Sequence, residues 1–360
     1  MSSVAISGDI CMKIVSTMQL PPAKENTILS AWRVDPGEEP MARGPLFNVN
    51  YRHQISGHET FPLRYGWLKK VYDAVAATEN DHENKSVFLS EDAIARFGVG
   101  KNMVASMRHW GSAAGILKEL SGTPVIRTTE LGHLLFGPSG LDPYMEHPAT
   151  LWLVHWHLAA RPDKTTWFWA FNHYPALTFE REHLITGINR LAKDRGWERV
   201  AAVTVKNDVA CFIRSYVPQV PSGQAGNDDA LESPLSELGL IKAIGRRDGF
   251  RFVRGPKTTL GNGVFIWALL DFWCRYSQKT STLSFEAIAH EPGGLGRVFL
   301  LDENDVADRL AVIDDATGGR LRWSETAGLK QVVRDPSLDF GAALDHVKMD
   351  YSNAHRRRAV

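Results

Sequence analysis

The stretch Leu89-Ser90-Glu91-Asp92-Ala93-Ile94-Ala95-Arg96-Phe97-Gly98-Val99-Gly100-Lys101-Asn102-Met103-Val104 decides how this chain is read. Ser90 stands where a helix N-cap is expected. Glu91 and Asp92 follow in the first turn, where the helix dipole favours negative charge. Leu89 and Ile94 have the spacing of a hydrophobic staple. Ala93, Ile94 and Phe97 recur at helical spacing, and Gly98 suits the left-handed residue that ends a helix. Gly98 to Lys101 is then a turn, with a second helix starting near Asn102. Its apolar face is Met103, Val104, Met107, Trp110, Gly111 and Ala114. Lys101, Asn102, Ala105, Ser106, His109 and Ser112 lie opposite, with Arg108 at the edge. A free face that is small, polar and basic suits the DNA major groove. A helical hairpin buried in a core has the same spacing, and the pattern alone does not separate the two.

The signal recurs. Leu283-Ser284-Phe285-Glu286-Ala287-Ile288-Ala289 matches residues 89–95 in cap, staple and acidic first turn. A glycine-rich turn follows in each copy, at Gly98 to Lys101 and at Gly293 to Arg297, and a long helix is expected after it. Ile126 to Gly132 and Leu321 to Gly328 each read as a short strand leading into a capped helix. The fold expected is therefore α+β and predominantly helical. It has two diverged winged-helix modules joined by a helical, aromatic-rich middle region. The second copy carries Asp302, Glu303, Asn304, Asp305, Asp308, Asp314 and Asp315, a face that repels phosphate. That module is expected to bind itself or a partner subunit rather than DNA.

Composition shifts divide the chain. Residues 1–44 read as a loose tail, and Met41 is a candidate for the true start. Residues 45–150 hold the first winged helix, and 151–217 the helical middle region, with amphipathic candidates at Glu180 to Arg195 and Asp208 to Tyr216. Residues 218–233 form a linker rich in Pro, Gly, Asn, Asp and Ser. Residues 234–340 hold the second module, including a hairpin turning at Asp248-Gly249. Residues 341–360 are a tail ending in Arg356-Arg357-Arg358.

The 41 basic and 41 acidic residues balance, which argues against a histone-like, unspecific nucleic-acid binder. The three cysteines, Cys11, Cys211 and Cys274, are scattered singly. That excludes a disulfide framework and a cysteine zinc knuckle, and suits a cytoplasmic protein. No secretory signal is read at the amino terminus, where Asp9 and Lys13 break the apolar run. The most apolar stretch, Leu151 to Ala160, is half the length of roughly 20 residues that a membrane span needs. It reads as a core helix, with His155 and His157 as core histidines. The Gly98 to Lys101 turn is not a phosphate loop, since Ala95 stands where the first glycine is required.

Gly57-His58-Glu59-Thr60-Phe61-Pro62-Leu63-Arg64-Tyr65-Gly66-Trp67-Leu68-Lys69-Lys70 is the second unusual run. Thr60 is expected to cap a helix holding Tyr65, Leu68, Tyr72 and Val75. A histidine beside a carboxylate can act as base and orienter, or as two metal ligands. Capping and loop hydrogen bonding are the plainer roles for such a pair.

The runs Gly57 to Lys70 and Glu91 to Val104 resemble a bacterial domain-of-unknown-function family. That family includes SspB, the nicking component of Ssp-type DNA phosphorothioation systems. Similar runs stand at Leu141 to Trp152 and Phe285 to Asn304, so the resemblance covers about Tyr51 to Val333. It implies an antiphage defence component whose partners are double-stranded DNA, a cysteine desulfurase, an ATPase and an ATP-pyrophosphatase. It implies nicking of DNA but carries over no catalytic residue. Two readings follow. In the first the chain is a nicking endonuclease, with His58 and Glu59 catalytic, Asp208 a weaker candidate, and a divalent metal such as Mg or Mn. Arg64, Lys69, Lys70, Lys101, Asn102, Ser106, Arg108 and His109 would then hold DNA. In the second it is a winged-helix DNA-binding adaptor or regulator that uses the same DNA-contacting residues and positions other subunits without chemistry.

Overall fold

The computed structural model describes residues 44–79, 84–89, 92–120, 122–123, 125–198, 200–218, 233–245, 248–326 and 328–358. Most of the expected tail and linker, Met41, and the cap residues Ser90 and Glu91 lie outside them. The fold is mixed α+β, with small antiparallel sheets among many helices.

The first group of elements is α1 (Trp67–Ala76), α2 (Ala93–Phe97), α3 (Lys101–Ala113), β1 (Leu117–Glu119), β2 (Ile126–Thr128) and α4 (Glu130–Phe136). The two helices expected on either side of the Gly98 turn are α2 and α3. Gly98 ends α2 at φ 67°, the left-handed conformation glycine adopts at least cost. Val104, Met107 and Trp110 bury the apolar face of α3 against α1. The staple differs from expectation, because Leu89 and Ile94 are both exposed. β1 and β2 pair, and Thr129 caps α4 by accepting from the Gly132 N–H at 2.9 Å.

The second group is α5 (Pro148–Ala159), α6 (Thr165–Asn172), β3 (Thr178–Glu180), α7 (Arg181–Asp194), α8 (Ala202–Tyr216), β4 (Ile241–Ile244) and β5 (Gly249–Phe252). The expected hairpin is β4–β5, but Gly249 is already paired with Ile244, so it is a strand residue rather than part of the turn. The hairpin pairs with β3 in the order β3-β5-β4, so it belongs with the middle helices rather than with the C-terminal module.

The third group is α9 (Asn262–Ser277), β6 (Thr282–Ser284), α10 (Phe285–His290), α11 (Leu295–Val298), α12 (Glu303–Ala311), α13 (Ile313–Thr317), β7 (Leu321–Thr326), β8 (Leu329–Arg334) and α14 (Leu344–Arg358). Ser284 caps α10 as expected. The expected long helix is instead three short ones, because Asp302 restarts the chain with a capping box. Leu321 leads into the hairpin β7–β8, not a capped helix, and the sheet order is β6-β8-β7. The expected tail is α14, packed on α9. Val347 and Tyr351 are buried, and Asp350 accepts from the Gly263 and Val264 N–H groups at 2.9 and 2.8 Å. A carboxylate there satisfies orphan donors in the first turn of α9.

One continuous apolar core runs through all three groups, with α5 at its centre. Trp152, Leu153, Val154, His155 and Trp156 are all fully buried. His155 donates from Nε2 to the Val298 carbonyl and accepts from the Tyr216 hydroxyl, both at 2.8 Å. His157 keeps a buried Nε2 with no hydrogen-bond partner, and its ring packs against Gly115. No helix of the described residues is long and apolar enough to cross a membrane.

Desolvation holds His155 down at about 4 and His157 at about 3, each also lowered by neighbouring cations. The unfolded chain therefore binds protons that the folded one refuses. Stability is complete above the ordinary histidine value near 6.5 and falls as pH drops from there towards the folded values. Each histidine steepens that fall by up to about 1.4 kcal/mol per pH unit. Urea unfolding at pH 7 and pH 5 checks this, and His157→Leu is expected to flatten the difference. Equal midpoints for the unmodified chain at the two pH values would contradict it.

Candidate functional site

The run Gly57 to Thr60 forms a tight turn rather than a helix start. The helix α1 begins only at Trp67, after Gly66 in the left-handed conformation. Gly57 has φ 112°, and a Cβ there would lie 2.5 Å from Nδ1 of His109. Glu59 and Thr60 also have positive φ, 46° and 66°. Two consecutive non-glycine residues in this region store strain that the surroundings must over-determine.

His58 supplies much of that determination. It is buried, and its Nδ1 accepts from the Thr60 N–H at 3.0 Å. The ring proton is therefore on Nε2, which donates to Oδ1 of Asp208 at 2.7 Å. Asp208 sits on α8, where its carboxylate is also buried. The Arg214 guanidinium, further along α8, donates to the Thr60 carbonyl. The turn is thus clamped onto α8 from both sides. The second oxygen, Oδ2 of Asp208, is buried with no hydrogen-bond partner.

Several polar groups surround the pair. Lys164 is buried at the start of α6 and donates to Oε1 of Gln54 at 2.7 Å. Burial pushes its ammonium down to about 8, against the charges of Asp163 and Asp208 that favour protonation. The His109 ring lies 5.9 Å from the His58 ring, edge on, and the Trp167 ring 6.3 Å away. Desolvation first, then Lys164 and His58, hold His109 well below the usual histidine range. It is a neutral imidazole at pH 7.

The arrangement has the residue types of a base and its orienter, yet both ring nitrogens of His58 are already engaged. No lone pair is left to take a proton from a nucleophile in this conformation. The pair is a clasp between the turn and α8. Of the expected catalytic residues, the fold brings His58 and Asp208 together. It leaves Glu59 exposed on the surface of the same turn.

The expected DNA-contacting residues separate into two sets. Lys101 and Asn102 are exposed at the amino-terminal end of α3, next to exposed Ala105. Ser106 is fully buried, and half-buried His109 packs on Gly57. Arg108 is held by Glu119 in a two-pronged ion pair at 2.9 and 2.7 Å. Arg64 is buried over the rings of Phe61 and Trp67. Lys69 pairs with Asp73, and exposed Lys70 donates to the Phe97 carbonyl. Lys164 and Gln54 were not singled out from sequence. A lysine following Arg161-Pro162-Asp163 looks like loop charge, and nothing marks Gln54, itself exposed, as its partner.

Among the described residues no three His, Cys, Asp or Glu side chains converge as metal ligands. His58 and Asp208 supply one buried, unpaired oxygen between them. These residues do not make a resident metal centre.

Many helices, two three-stranded antiparallel sheets of one connectivity and a clasped polar turn define a mixed α+β chain. The chain belongs to the family described as protein of unknown function DUF4007, whose model matches residues 55–350. Two solved structures are similar, one of SspB and one of magnesium ion-bound SspB. Each is 30% identical, covering 83% of this chain and 88% of that chain, with a TM-score of 0.72. No curated protein matches.

The clasp predicts an energetic coupling. Removing Asp208 leaves a buried Nε2 donor unpaired, at a cost of about 2 kcal/mol. Asp208→Ala is expected to lower unfolding stability by that order, and Asp208→Asn, which keeps an acceptor, by less. In a double-mutant cycle with His58→Ala, measured in denaturant, the two substitutions should cost clearly less than their sum. Strict additivity would mean that the hydrogen bond carries no stability.

Proposed function

We propose that this chain is the DNA-binding component of a DNA phosphorothioation system. One observation carries the reading beyond its family. The second helix of a helix-turn-helix leaves its first turn free, with Lys101 and Asn102 exposed, while its remaining polar residues are used inside the protein. A helix start that offers an ammonium, an amide and a small residue suits phosphate and base edges in the major groove.

A winged-helix reading is supported by connectivity. Three helices followed by a hairpin occur in α1 to β2. The orders β3-β5-β4 and β6-β8-β7 put an early strand beside the last strand of a later hairpin. On this reading there are three such modules rather than two. The third has exposed carboxylates at Asp302, Glu303, Asp308, Asp314 and Asp315, which suits it to a protein partner or a second copy rather than to DNA. A cysteine desulfurase, an ATPase or an ATP-pyrophosphatase of the same system is the natural candidate.

Intrinsic nicking is the second reading, and Glu59 favours it. It is an exposed carboxylate held on a strained turn above a buried histidine. No step is assigned to Mg or Mn, since the described residues assemble no three-ligand set.

Lys101→Ala combined with Asn102→Ala should weaken binding to a short duplex about tenfold. It should also flatten the salt dependence by about one unit of slope, with an unchanged melting temperature. Fluorescence anisotropy across a salt series checks both, and an unchanged affinity and slope would remove α3 from the interface. Supercoiled plasmid incubated with Mg or Mn, with and without chelator, separates the two readings. Nicking lost in Glu59→Ala supports the nuclease, and intact plasmid with the unmodified chain supports the adaptor.

A further inference from the structure

The end of α6 and the loop after it, the exit of β5 and the α10–α11 turn enclose a cavity of about 540 Å³. That is the size of many small-molecule sites, roughly 300–1,000 Å³. Two guanidiniums line it, Arg254 and Arg297. Arg297 is fixed by backbone acceptors, donating from Nη1 to the Asn172 carbonyl at 2.9 Å and from Nε to the His290 carbonyl. Arg254 donates to the Leu301 carbonyl at 3.1 Å. Among the described residues neither arginine makes an ion pair with a carboxylate. Carbonyl acceptors orient a guanidinium without cancelling its charge. Two positive charges therefore line one cavity, opposed there by Glu291 alone. Partial burial first, then the Arg297 charge, hold Arg254 below the usual guanidinium range, against the Asp302 charge that favours the cation.

Two further features of the lining point to an occupant. His173 has a buried Nε2 with no hydrogen-bond partner, and desolvation holds its ring neutral, at about 4. Leu300 has φ 53°, a strained conformation for a branched residue, of the kind found at ligand clamps. Its carbonyl is tied to the Gly255 N–H at 3.1 Å and to the buried Lys257 ammonium at 3.3 Å. The aromatic wall is Tyr174, itself held edge-on by Trp169 and Phe179 at 5.6 and 5.9 Å.

We propose that this cavity binds a nucleotide through its phosphate, with Arg254 and Arg297 clamping the phosphate oxygens and Tyr174 facing the base. Planar guanidiniums match phosphate geometry with two parallel hydrogen bonds, and their joint charge needs an anion. The volume exceeds what inorganic phosphate fills and leaves room for a base. The nucleotide is either a free monophosphate or one residue of a single strand drawn in from DNA.

Calorimetry on the full chain with deoxyadenosine 5′-monophosphate, and separately with a short single-stranded deoxyadenosine oligonucleotide, tests the proposal. Saturable binding of either is expected, weakened about tenfold or more in Arg254→Gln, which removes a charge-assisted contact. Arg254→Lys should fall between, since an ammonium restores charge but not the two-pronged geometry. Arg297→Gln should weaken binding as well. Arg254 is the cleaner site, because among the described residues it is anchored through a single carbonyl, that of Leu301. Binding of the monophosphate assigns the site to a free nucleotide, and binding of the oligonucleotide alone assigns it to a strand. Lys101→Ala with Asn102→Ala should leave this binding unchanged, which keeps the outcome separate from duplex recognition by α3. Absence of saturable binding by both probes at millimolar concentration, or equal affinity in Arg254→Gln, overturns the proposal.

Discussion

A helix buried on every side cannot leave any of its polar atoms to water, and that constraint on α5 organises the molecule. Thr150 donates to Asp142 at 2.5 Å and accepts from the Tyr351 hydroxyl of α14 at 2.6 Å. Trp152 donates to Thr259, and Trp156 to Asp271 of α9 at 2.7 Å. His155 reaches α8 through Tyr216 and α11 through Val298. Thr150, Trp152, His155 and Trp156 thus each commit α5 to a different part of the chain, while the buried Nε2 of His157 is left without a hydrogen-bond partner. Asp271 shows how costly such commitments are to break. Its carboxylate is shared between Arg161 at 2.6 Å and Arg275 at 3.1 Å. Those two cations hold it well below the usual carboxylate range despite burial. Loss of one partner from such a group strands a charge in the core, which is far worse than exchanging the whole group for apolar residues.

What was legible in the sequence follows from range. The α2–α3 hairpin was visible because everything that specifies it is local: apolar spacing, Gly98, and the polar start of α3. The Ser284 cap was readable for the same reason. Strand β3 was not, because Thr178-Phe179-Glu180 carries no period of its own and becomes a strand only by pairing with β5, seventy positions on. The α14 helix was hidden by its charge. Among its described side chains only Val347 and Tyr351 are buried, and the role of Asp350 as a cap on α9 depends on a helix that starts at residue 262. The long helix expected after Gly293 failed for a different reason, since Asp302 is a stronger start signal than the apolar run before it is a continuing one.

The polar turn shows the same division. His58 stood out because a histidine and a carboxylate adjoin. Its partner turned out to be Asp208, 150 residues away, while the adjoining Glu59 faces solvent. Sequence adjacency put the two acids in the wrong order of importance for His58. The backbone explains why. With Glu59 and Thr60 both in the left-handed region, the chain folds back, so that the Thr60 N–H caps the His58 ring and the Glu59 side chain is left outside. The same buried neighbourhood took His109 and Ser106 away from the surface on which a helical wheel places them. A wheel assigns faces correctly only when one side of a helix is free, and α3 is covered on both sides beyond its first turn.

That partial covering bears on how the chain would meet DNA. A fully exposed recognition helix would present charge along its length. Here α3 offers one exposed ammonium and one exposed amide, and ties its remaining guanidinium to Glu119. Such a small contact supplies orientation but little affinity, because binding to DNA rests mainly on the number of phosphates neutralised. The balanced charge of the whole chain points the same way. On the proposed function, a protein built like this would gain its hold on DNA from a second contact or from a partner that carries the positive charge. The acidic surface of the third group is suited to recruiting such a basic partner. Its carboxylates at Asp302, Glu303, Asp308, Asp314 and Asp315 are exposed. Opposite charge across a protein interface speeds encounter and fixes orientation, and a face of exposed carboxylates repels phosphate.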